Sequence, residues 1–422
     1  MNKCSVYISD SAKQYEGQYE FIDDCLEVEI FNYYTPSEEY TSIGDNVKYK
    51  EITIVDLGNK VFAFSPVFYN ISVTFALTQY EKYKTDFYMM TGQADSVKCF
   101  SSDMKIDTLI LYHPMLTQCF TNPALQVTHN ESEVNYKVIN NSENKIVEIQ
   151  ENNIEKIEFG GRCICSKKNN GQLINIETDN YAKIYFVQPI NYKELLMYVN
   201  EFDVFMNVYC PSGLHSYATR ITTNGGSCFE VIHELLGNEK FCDKIIYHPV
   251  KLDFWEYIES MYKNINYRTT NDRNKYIPLE FKKPTSLEDQ YTFYFRYIDL
   301  YMGEYLKQKT GKEPSNFDRL SAFVDENFQL FDSNDIVSVE NLKNELNSLR
   351  NQYVHEGYYL PNNQFAVNGR GKTFLYYKTM DYNWLIKIVK VFKFGVYKIL
   401  YTKVLDLEID DSELKSALKY WV

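Results

Sequence analysis

The sequence lacks the features by which disulfide-rich and metal-binding proteins are often identified. Its nine cysteines, among 422 residues, are an odd number and are scattered without the paired spacing of a zinc site. The closest pair, Cys163 and Cys165, fits the alternation of a strand better than a ligand pair. We therefore expect free thiols, no bound metal and no other cofactor.

Targeting and membrane-spanning patterns are absent as well. Residues 1–5 do not begin a charged leader followed by an apolar stretch, and no run of about 18 apolar residues occurs. An excess of Asp and Glu gives a formal net charge of −13 at pH 7, which argues against a protein that wraps long nucleic acid. A small, local RNA site is compatible with this charge. We expect a cytoplasmic protein with no membrane partner.

What the sequence does contain is enough apolar residues, 45% of the chain, for sizeable cores. To about residue 240 these residues mostly alternate with polar ones, which predicts half-buried strands. The predicted strands cover 26–30, 51–55, 61–64, 71–77, 107–112, 134–138, 145–149, 154–159, 173–176, 183–187, 204–210 and 228–233. So many short strands predict a sandwich or a pair of packed sheets. One helix, from Tyr192 to Asn200, begins with a capping-box-like pair, Asn191 and Glu194.

Histidines in this region have no evident catalytic partner. The tripeptide Tyr-His-Pro occurs at 112–114 and again at 247–249, but its flanks do not match, so a coincidence at two strand ends is simpler than a duplicated module. We interpret His129, His215 and His233 as surface or core residues.

Toward the C-terminus the hydrophobic period becomes that of helices. A short helix capped by Asp253 precedes a polar, basic segment, and four helices then follow from Ser286, at 286–309, 316–328, 339–355 and 382–407. Four helices with short links predict a bundle. The predicted organisation is therefore α+β: a β-rich, sandwich-like domain with a few helices at 1–265, a linker at 266–284 and an all-α bundle at 285–422.

The helix predicted at 339–355 carries the strongest functional motif. Its apolar stripe consists of Leu342, Leu346, Leu349 and Tyr353. Asn351 and His355 lie opposite that stripe, and Arg350 lies at its flank. A histidine can exchange a proton with a ribose 2′-hydroxyl, an arginine can bind the phosphate as its charge grows, and an asparagine can orient either group. The alternative is a solvated helix face with Arg350 held by a nearby carboxylate, for which this helix offers only Glu345.

The pattern Arg350-Asn351-x-x-x-His355 resembles the R-x4-6-H motif of HEPN ribonucleases. Because this spacing is common by chance, its helical context matters. A β-rich region followed by a helical bundle is similar to the ApeA-type bacterial anti-phage defence proteins, whose C-terminal domain is a HEPN nuclease. The similarity extends more loosely to residues 287–299, where Asp299 occupies a commonly acidic position, and to residues 184–189.

This resemblance implies a metal-independent endoribonuclease that forms a homodimer through its bundle. The two His355 residues would act as base and acid, both Arg350 side chains would bind the scissile phosphate, and the product would carry a 2′,3′-cyclic phosphate. It also implies an RNA substrate such as tRNA or another host or phage RNA, a phage-encoded trigger bound by the N-terminal domain, and a toxin-like outcome in abortive infection.

Two other functions stay open. The bundle could be a non-catalytic HEPN-like binding or regulatory module. Alternatively, residues 366–373 match a loosened phosphate-binding loop, although the flanking sequence does not predict the strand and helix that such a loop connects. Arg370 and Lys372 in this loop, with Lys282 and Lys283 in the linker, are candidate RNA contacts.

Overall fold

A computed structural model of the chain divides it into two compact units, Met1–Met206 with Leu214–Lys244, and Asn207–Gly213 with Ile245–Val422. The structure describes residues 1–8, 13–22, 25–31, 51–58, 60–64, 67–73, 79–85, 88–91, 104–129, 134–139, 144–168, 173–209, 213–223, 226–233, 235–237, 252–265, 286–331, 339–356, 365–367, 373–375 and 382–412. The α+β class, with strands in the N-terminal part and helices in the C-terminal part, is confirmed.

The first unit is built on an antiparallel sheet of 14 strands. Its strands, and those of a separate β10–β11 hairpin, are β1 (Asn2–Ile8), β2 (Gln14–Ile22), β3 (Cys25–Phe31), β4 (Ile52–Asp56), β5 (Val61–Phe64), β6 (Val67–Val73), β7 (Gln79–Thr85), β8 (Tyr88–Thr91), β9 (Ile106–Tyr112), β10 (Leu125–His129), β11 (Val134–Val138), β12 (Lys145–Glu151), β13 (Ile154–Lys168), β14 (Leu173–Ile190), β15 (Ala218–Thr223) and β16 (Cys228–Ile232). The strand order is β12-β13-β14-β9-β15-β16-β8-β5-β4-β1-β2-β3-β7-β6.

The half of the sheet formed by β1–β8 is strongly curled. Phe21 on β2 and Tyr88 on β8 are four strands apart in the order, which is about 19 Å in a flat sheet. Their rings nevertheless lie 5.8 Å apart, and Phe62 on β5 contacts both rings. The alternating residues predicted on β3, including Leu26 and Val28, are fully buried in the core that this curl encloses. The sequence predicted a sandwich or two packed sheets, whereas the strands described form one continuous curled sheet.

The other half of the sheet packs against a helix, α2 (Tyr192–Tyr209). Its start is as predicted, because the Asn191 amide donates to Glu194 Oε2 at 3.0 Å and the Glu194 amide donates to Asn191 Oδ1 at 3.1 Å. The predicted strand at 204–210 is wrong, since α2 continues to Tyr209. Residues 204–206 and 208 are all buried, and a short run of buried apolar residues has the same pattern in a strand and in an enclosed helix.

The second unit contains the predicted helices. A short α1 (Leu116–Cys119) belongs to the first unit, and the helices of the second are α3 (Phe254–Asn264), α4 (Leu287–Thr310), α5 (Asn316–Asn327), α6 (Val339–Glu356) and α7 (Tyr382–Ile399). A π-helical turn, Leu400–Val404, extends α7. The sequence assigned α3 to the N-terminal domain, but contacts group it with the helical unit. The predicted linker at 266–284 lies outside the described residues.

Local capping signals position these helices. The Asp253 carboxylate accepts the amides of Trp255 and Glu256 at the start of α3, and the Ser286 hydroxyl accepts the Asp289 amide at 3.0 Å at the start of α4. Gly311, with φ of 70°, ends α4 in the left-handed conformation that glycine adopts without strain. No described helix is both long and apolar enough to cross a bilayer.

Aromatic side chains hold α4 against its neighbours. The Tyr291 ring stacks on Phe392 of α7 with centroids 5.1 Å apart, and its hydroxyl donates to the Leu346 carbonyl of α6 at 2.8 Å. Phe323 of α5 meets Phe392 edge-on, and its ring lies directly over Gly395 of α7, where a Cβ would overlap it. The close approach of α5 and α7 therefore depends on the absence of a side chain at 395.

We predict that Gly395→Ala destabilises the protein although alanine favours helices over glycine by about 1 kcal/mol. Overlap with Phe323 should lower the free energy of unfolding by about 1–3 kcal/mol, which urea unfolding would measure. Lys390→Ala, at an exposed position of α7, is the matched control and should change it by less than about 0.5 kcal/mol. An equal or higher stability of Gly395→Ala would contradict the packing described here.

Candidate functional site

The helix α6 carries the predicted catalytic residues in its C-terminal half. Leu342, Leu346 and Leu349 are buried, as the predicted apolar stripe required. The backbone at Asn351 and His355 is helical, but their side chains, like that of Tyr353, lie outside what the structure describes. The outward orientation of His355 therefore stays a prediction.

Arg350 is half-buried and faces α4. Its guanidinium carbon lies 5.8 Å from the centroid of the Phe295 ring, and Phe295 itself is buried. A guanidinium over an aromatic ring is attracted to the ring's negative face. Arg350 is thus oriented by its own bundle.

Asp299 lies one helical turn after Phe295 on α4 and is the carboxylate that interacts with Arg350. Burial raises the pKa of Asp299 above that of an ordinary carboxyl, while the charges of Arg350 and Arg319 act in the opposite direction. Its Oδ1 atom is buried and has no hydrogen-bond partner among the described residues. The carboxylate is therefore stabilised through its electrostatic interaction with two guanidinium groups, from α5 and α6.

Gly303 allows Arg319 to reach this position. It follows Asp299 by one turn on α4, and a Cβ there would lie only 3.2 Å from the Nε and Cζ atoms of Arg319. The guanidinium donates to Glu313 at 2.9 Å, and its Nε is buried without a partner in the described part of the chain. Asp299, Arg319 and Arg350 thus form a cluster in which two arginines outnumber one carboxylate, a charge balance suited to a phosphate.

Sequence reasoning did not find this cluster. It considered only carboxylates on α6 itself, whereas the carboxylate that interacts with Arg350 is more than 50 positions earlier in the chain. The available signal was positional: Asp299 continues the spacing of Tyr291 and Phe295 at four-residue intervals, so a polar residue stands on the buried stripe of α4.

The remaining predicted RNA contacts, Lys282, Lys283, Arg370 and Lys372, lie outside the described residues. Two short strands flank the loop that carries the last two: β17 (Phe365–Val367) and β18 (Thr373–Leu375) pair antiparallel, with Val367 opposite Thr373. A phosphate-binding loop connects a strand to the N-terminus of a helix. Here Thr373 begins a strand, which argues against the nucleotide-binding alternative.

A second titratable cluster surrounds Asp203 of α2 in the first unit. This fully buried carboxylate accepts the Ser216 amide at 3.1 Å and the Ser216 hydroxyl at 2.6 Å, and His215 Nδ1 lies 3.3 Å away. The hydrogen bond to Asp203 raises the pKa of His215. Among the described residues no group of three or more His, Cys, Asp or Glu side chains is arranged to hold a metal ion.

Two buried histidines near this carboxylate follow strands in the same way. His113 Nδ1 accepts the Met115 amide and His233 Nδ1 accepts the Leu235 amide, both at 3.2 Å. Because Nδ1 is an acceptor, both rings must be neutral. Burial lowers the pKa of each, and that of His233 to about 4. His233 is thus a core residue, one of the two interpretations that the sequence left for it.

Comparisons of the chain with protein-family models, with curated proteins and with solved structures found no match. The functional assignment therefore depends on the residues of this chain and on their geometry.

We predict that His233 makes stability sensitive to acid. Its pKa is lowered in the folded state from 6.5 to about 4, so the unfolded chain binds a proton first, and the free energy of unfolding falls as pH decreases through this range. The full effect is about 3 kcal/mol, and above pH 6.5 this group contributes no pH dependence. His233→Asn, which keeps an acceptor for the Leu235 amide, should show a smaller loss between pH 6.5 and pH 4 in urea unfolding. His129→Asn, at an exposed histidine, should leave the loss unchanged, and an identical loss in both variants would contradict the assignment.

A double-mutant cycle tests the interaction of Arg350 with Asp299. Arg350→Ala should lower the free energy of unfolding at pH 7 more in the wild-type background than in Asp299→Asn, because it removes a cation from a half-buried carboxylate. We expect a coupling of about 1 kcal/mol, measured by urea unfolding. Arg296→Ala, exposed on the same helix α4, should show no coupling with Asp299→Asn. Equal effects of Arg350→Ala in both backgrounds would exclude the interaction.

Proposed function

We propose that the chain is a metal-independent endoribonuclease of the HEPN type, with Arg350, Asn351 and His355 of α6 as its catalytic residues. The observation that supports this most is the environment of Arg350. Its guanidinium is half-buried against Phe295, beside Asp299 and near a second arginine, so it is oriented before a substrate arrives. A preorganised cation stabilises a developing phosphorane charge better than a mobile one.

In the proposed reaction, His355 of one protomer removes the proton from a ribose 2′-hydroxyl. The freed oxygen attacks the adjacent phosphorus, the bond to the 5′-oxygen breaks, and a 2′,3′-cyclic phosphate forms. His355 of a second protomer donates the proton that the leaving 5′-oxygen requires. Both Arg350 side chains bind the phosphate, and Asn351 orients the imidazole or the ribose.

Helix geometry supports a dimer in this mechanism. Arg350 and His355 are five positions apart, which separates them by about 140° around one helix. One α6 cannot easily direct both side chains at the same phosphate. Two α6 helices related by a two-fold axis bring an arginine of one protomer and a histidine of the other together.

Asp299 is proposed as a positioning residue in this site. It holds Arg350 in place through charge, and a bound phosphate can replace it as the partner of the guanidinium. Arg319, held by Glu313 over Gly303, keeps the local charge positive when that exchange occurs.

The proposed biological role is abortive infection in anti-phage defence, in the cytoplasm. The β-rich unit would restrain the nuclease until it binds a phage-encoded trigger, and the substrate would be tRNA or another host or phage RNA. This role follows from the resemblance to ApeA-type proteins.

The second candidate is a non-catalytic HEPN-like module that binds RNA or a protein partner. The same observation favours it, because contacts with Phe295 and Asp299 give Arg350 a structural role within the bundle. The two candidates differ in whether purified protein cuts RNA.

The test is cleavage of total RNA by purified protein, with the new ends mapped by sequencing. We expect 2′,3′-cyclic phosphate ends, unchanged activity in EDTA, and a loss of about 10²–10⁴-fold in His355→Ala and in Arg350→Ala. His129→Ala, at an exposed histidine of the first unit, is the matched control and should retain activity.

Full activity of His355→Ala, or abolition of cleavage by EDTA, would exclude the proposed mechanism. RNA binding without cleavage, unchanged by His355→Ala, would assign the bundle to the non-catalytic class.

A further inference from the structure

The outer face of the sheet formed by β13, β14, β9 and β15 combines exposed cations with tyrosine rings. Alternate residues of these strands, such as Phe159 and Ile184, are buried on the inner face, where Phe186 of β14 packs on Tyr198 of α2 with centroids 4.7 Å apart. The intervening residues face outward. They include four half-buried cations, Lys156, Arg162, Lys183 and Arg220.

Each of these cations lies over a tyrosine ring. The guanidinium carbons of Arg162 and Arg220 lie 5.1 and 5.5 Å from the centroid of the buried Tyr112 ring. The amino groups of Lys156 and Lys183 lie 5.0 and 4.7 Å from the centroid of the Tyr185 ring, which is half-exposed. The face therefore presents paired positive charges around aromatic surface.

The principal carboxylates of the face are engaged by neighbouring donors. Glu158 accepts the hydroxyl of Tyr185 at 2.7 Å and the amide of Asn144 at 2.6 Å. Asp179 accepts the Tyr217 hydroxyl at 3.0 Å and pairs with Arg162, and its side chain is 3% exposed against 33% for Arg162. The acid thus lies beneath the cation.

Other carboxylates reduce the net charge without covering the rings. Glu230 lies opposite Arg220 and Glu148 opposite Lys156 in cross-strand register, and Glu155 is 3.9 Å from Lys156. Charge alone would therefore give weak attraction for a polyanion. Attraction between rings and a second aromatic group is needed in addition.

The geometry points to single-stranded nucleic acid as the partner of this face. Its bases can stack on half-exposed tyrosine rings, and its phosphates can pair with the flanking lysines and arginines, which is how sequence-tolerant single-strand binding works. A duplex, whose bases are already stacked, offers only its phosphates. Binding here is independent of the ribonuclease proposal, because the face belongs to the first unit and contains none of the residues assigned to cleavage.

The experiment measures fluorescence anisotropy of labelled oligouridylate and oligothymidylate of about 12 nucleotides with the full-length His355→Ala chain. This variant prevents cleavage of the probe by the proposed site, so failure of binding and failure of catalysis are distinguishable. With up to four phosphates engaged, the slope of log K against log salt should be no steeper than about −3. Binding of either strand supports the proposal, and the ratio of the two affinities assigns the preferred sugar.

Two sets of variants test the face. Lys156→Glu with Lys183→Glu should weaken binding by at least about tenfold and flatten the salt dependence, whereas Lys3→Glu with Lys60→Glu, the same charge change at exposed sites elsewhere in the unit, should have a much smaller effect. Tyr185→Phe keeps the ring and should bind within about twofold of wild type, whereas Tyr185→Leu should lose about tenfold. Both tyrosine variants lose the hydroxyl, so their difference reports stacking.

Three outcomes would overturn the proposal. These are an equal loss in the two lysine pairs, equal affinity of Tyr185→Phe and Tyr185→Leu, and competition by poly-glutamate as strong as competition by oligouridylate. The last outcome would assign the face to an acidic protein.

Discussion

A carboxylate taken out of water needs compensating donors or charges, and each unit of this protein is arranged around one such group. In the first unit Asp203 is fully buried and accepts two hydrogen bonds from Ser216, with His215 beside it. These contacts connect α2 to the segment that leads into β15. In the second unit Asp299 connects α4 to α5 and α6 through two arginines.

The two carboxylates differ in how completely they are satisfied. Asp203 receives direct hydrogen bonds at short distances, which is typical of a structural role. Asp299 has a buried oxygen without a hydrogen-bond partner in the described part of the chain, and its compensation is electrostatic. An arrangement of that kind can exchange partners when an anion arrives, which is why Asp299 belongs to the candidate site and Asp203 to the framework.

Features set by neighbouring residues could be predicted from the sequence. The caps at Asn191, Asp253 and Ser286, and the buried leucine stripe of α6, depend on contacts within four positions along the chain. The C-terminal half of α2 could not be distinguished from a strand, because burial of a whole apolar run removes the periodic signal.

Features set by distant residues were beyond that reasoning. The pairing of β9 with both β14 and β15, and the contact of Arg350 with Phe295, join residues separated by dozens of positions. No local pattern specifies such partners. The side-chain positions of Asn351 and His355, on which the catalytic proposal depends, are the part of the site that geometry leaves to experiment.

The vacant position at Gly395 has an evolutionary consequence. Because the Phe323 ring occupies the space that any side chain there would need, a larger residue at 395 is compatible only with a smaller one at 323. In diverged descendants of this chain the two positions should therefore change in concert, and their covariation would mark common ancestry even where the catalytic motif has been lost.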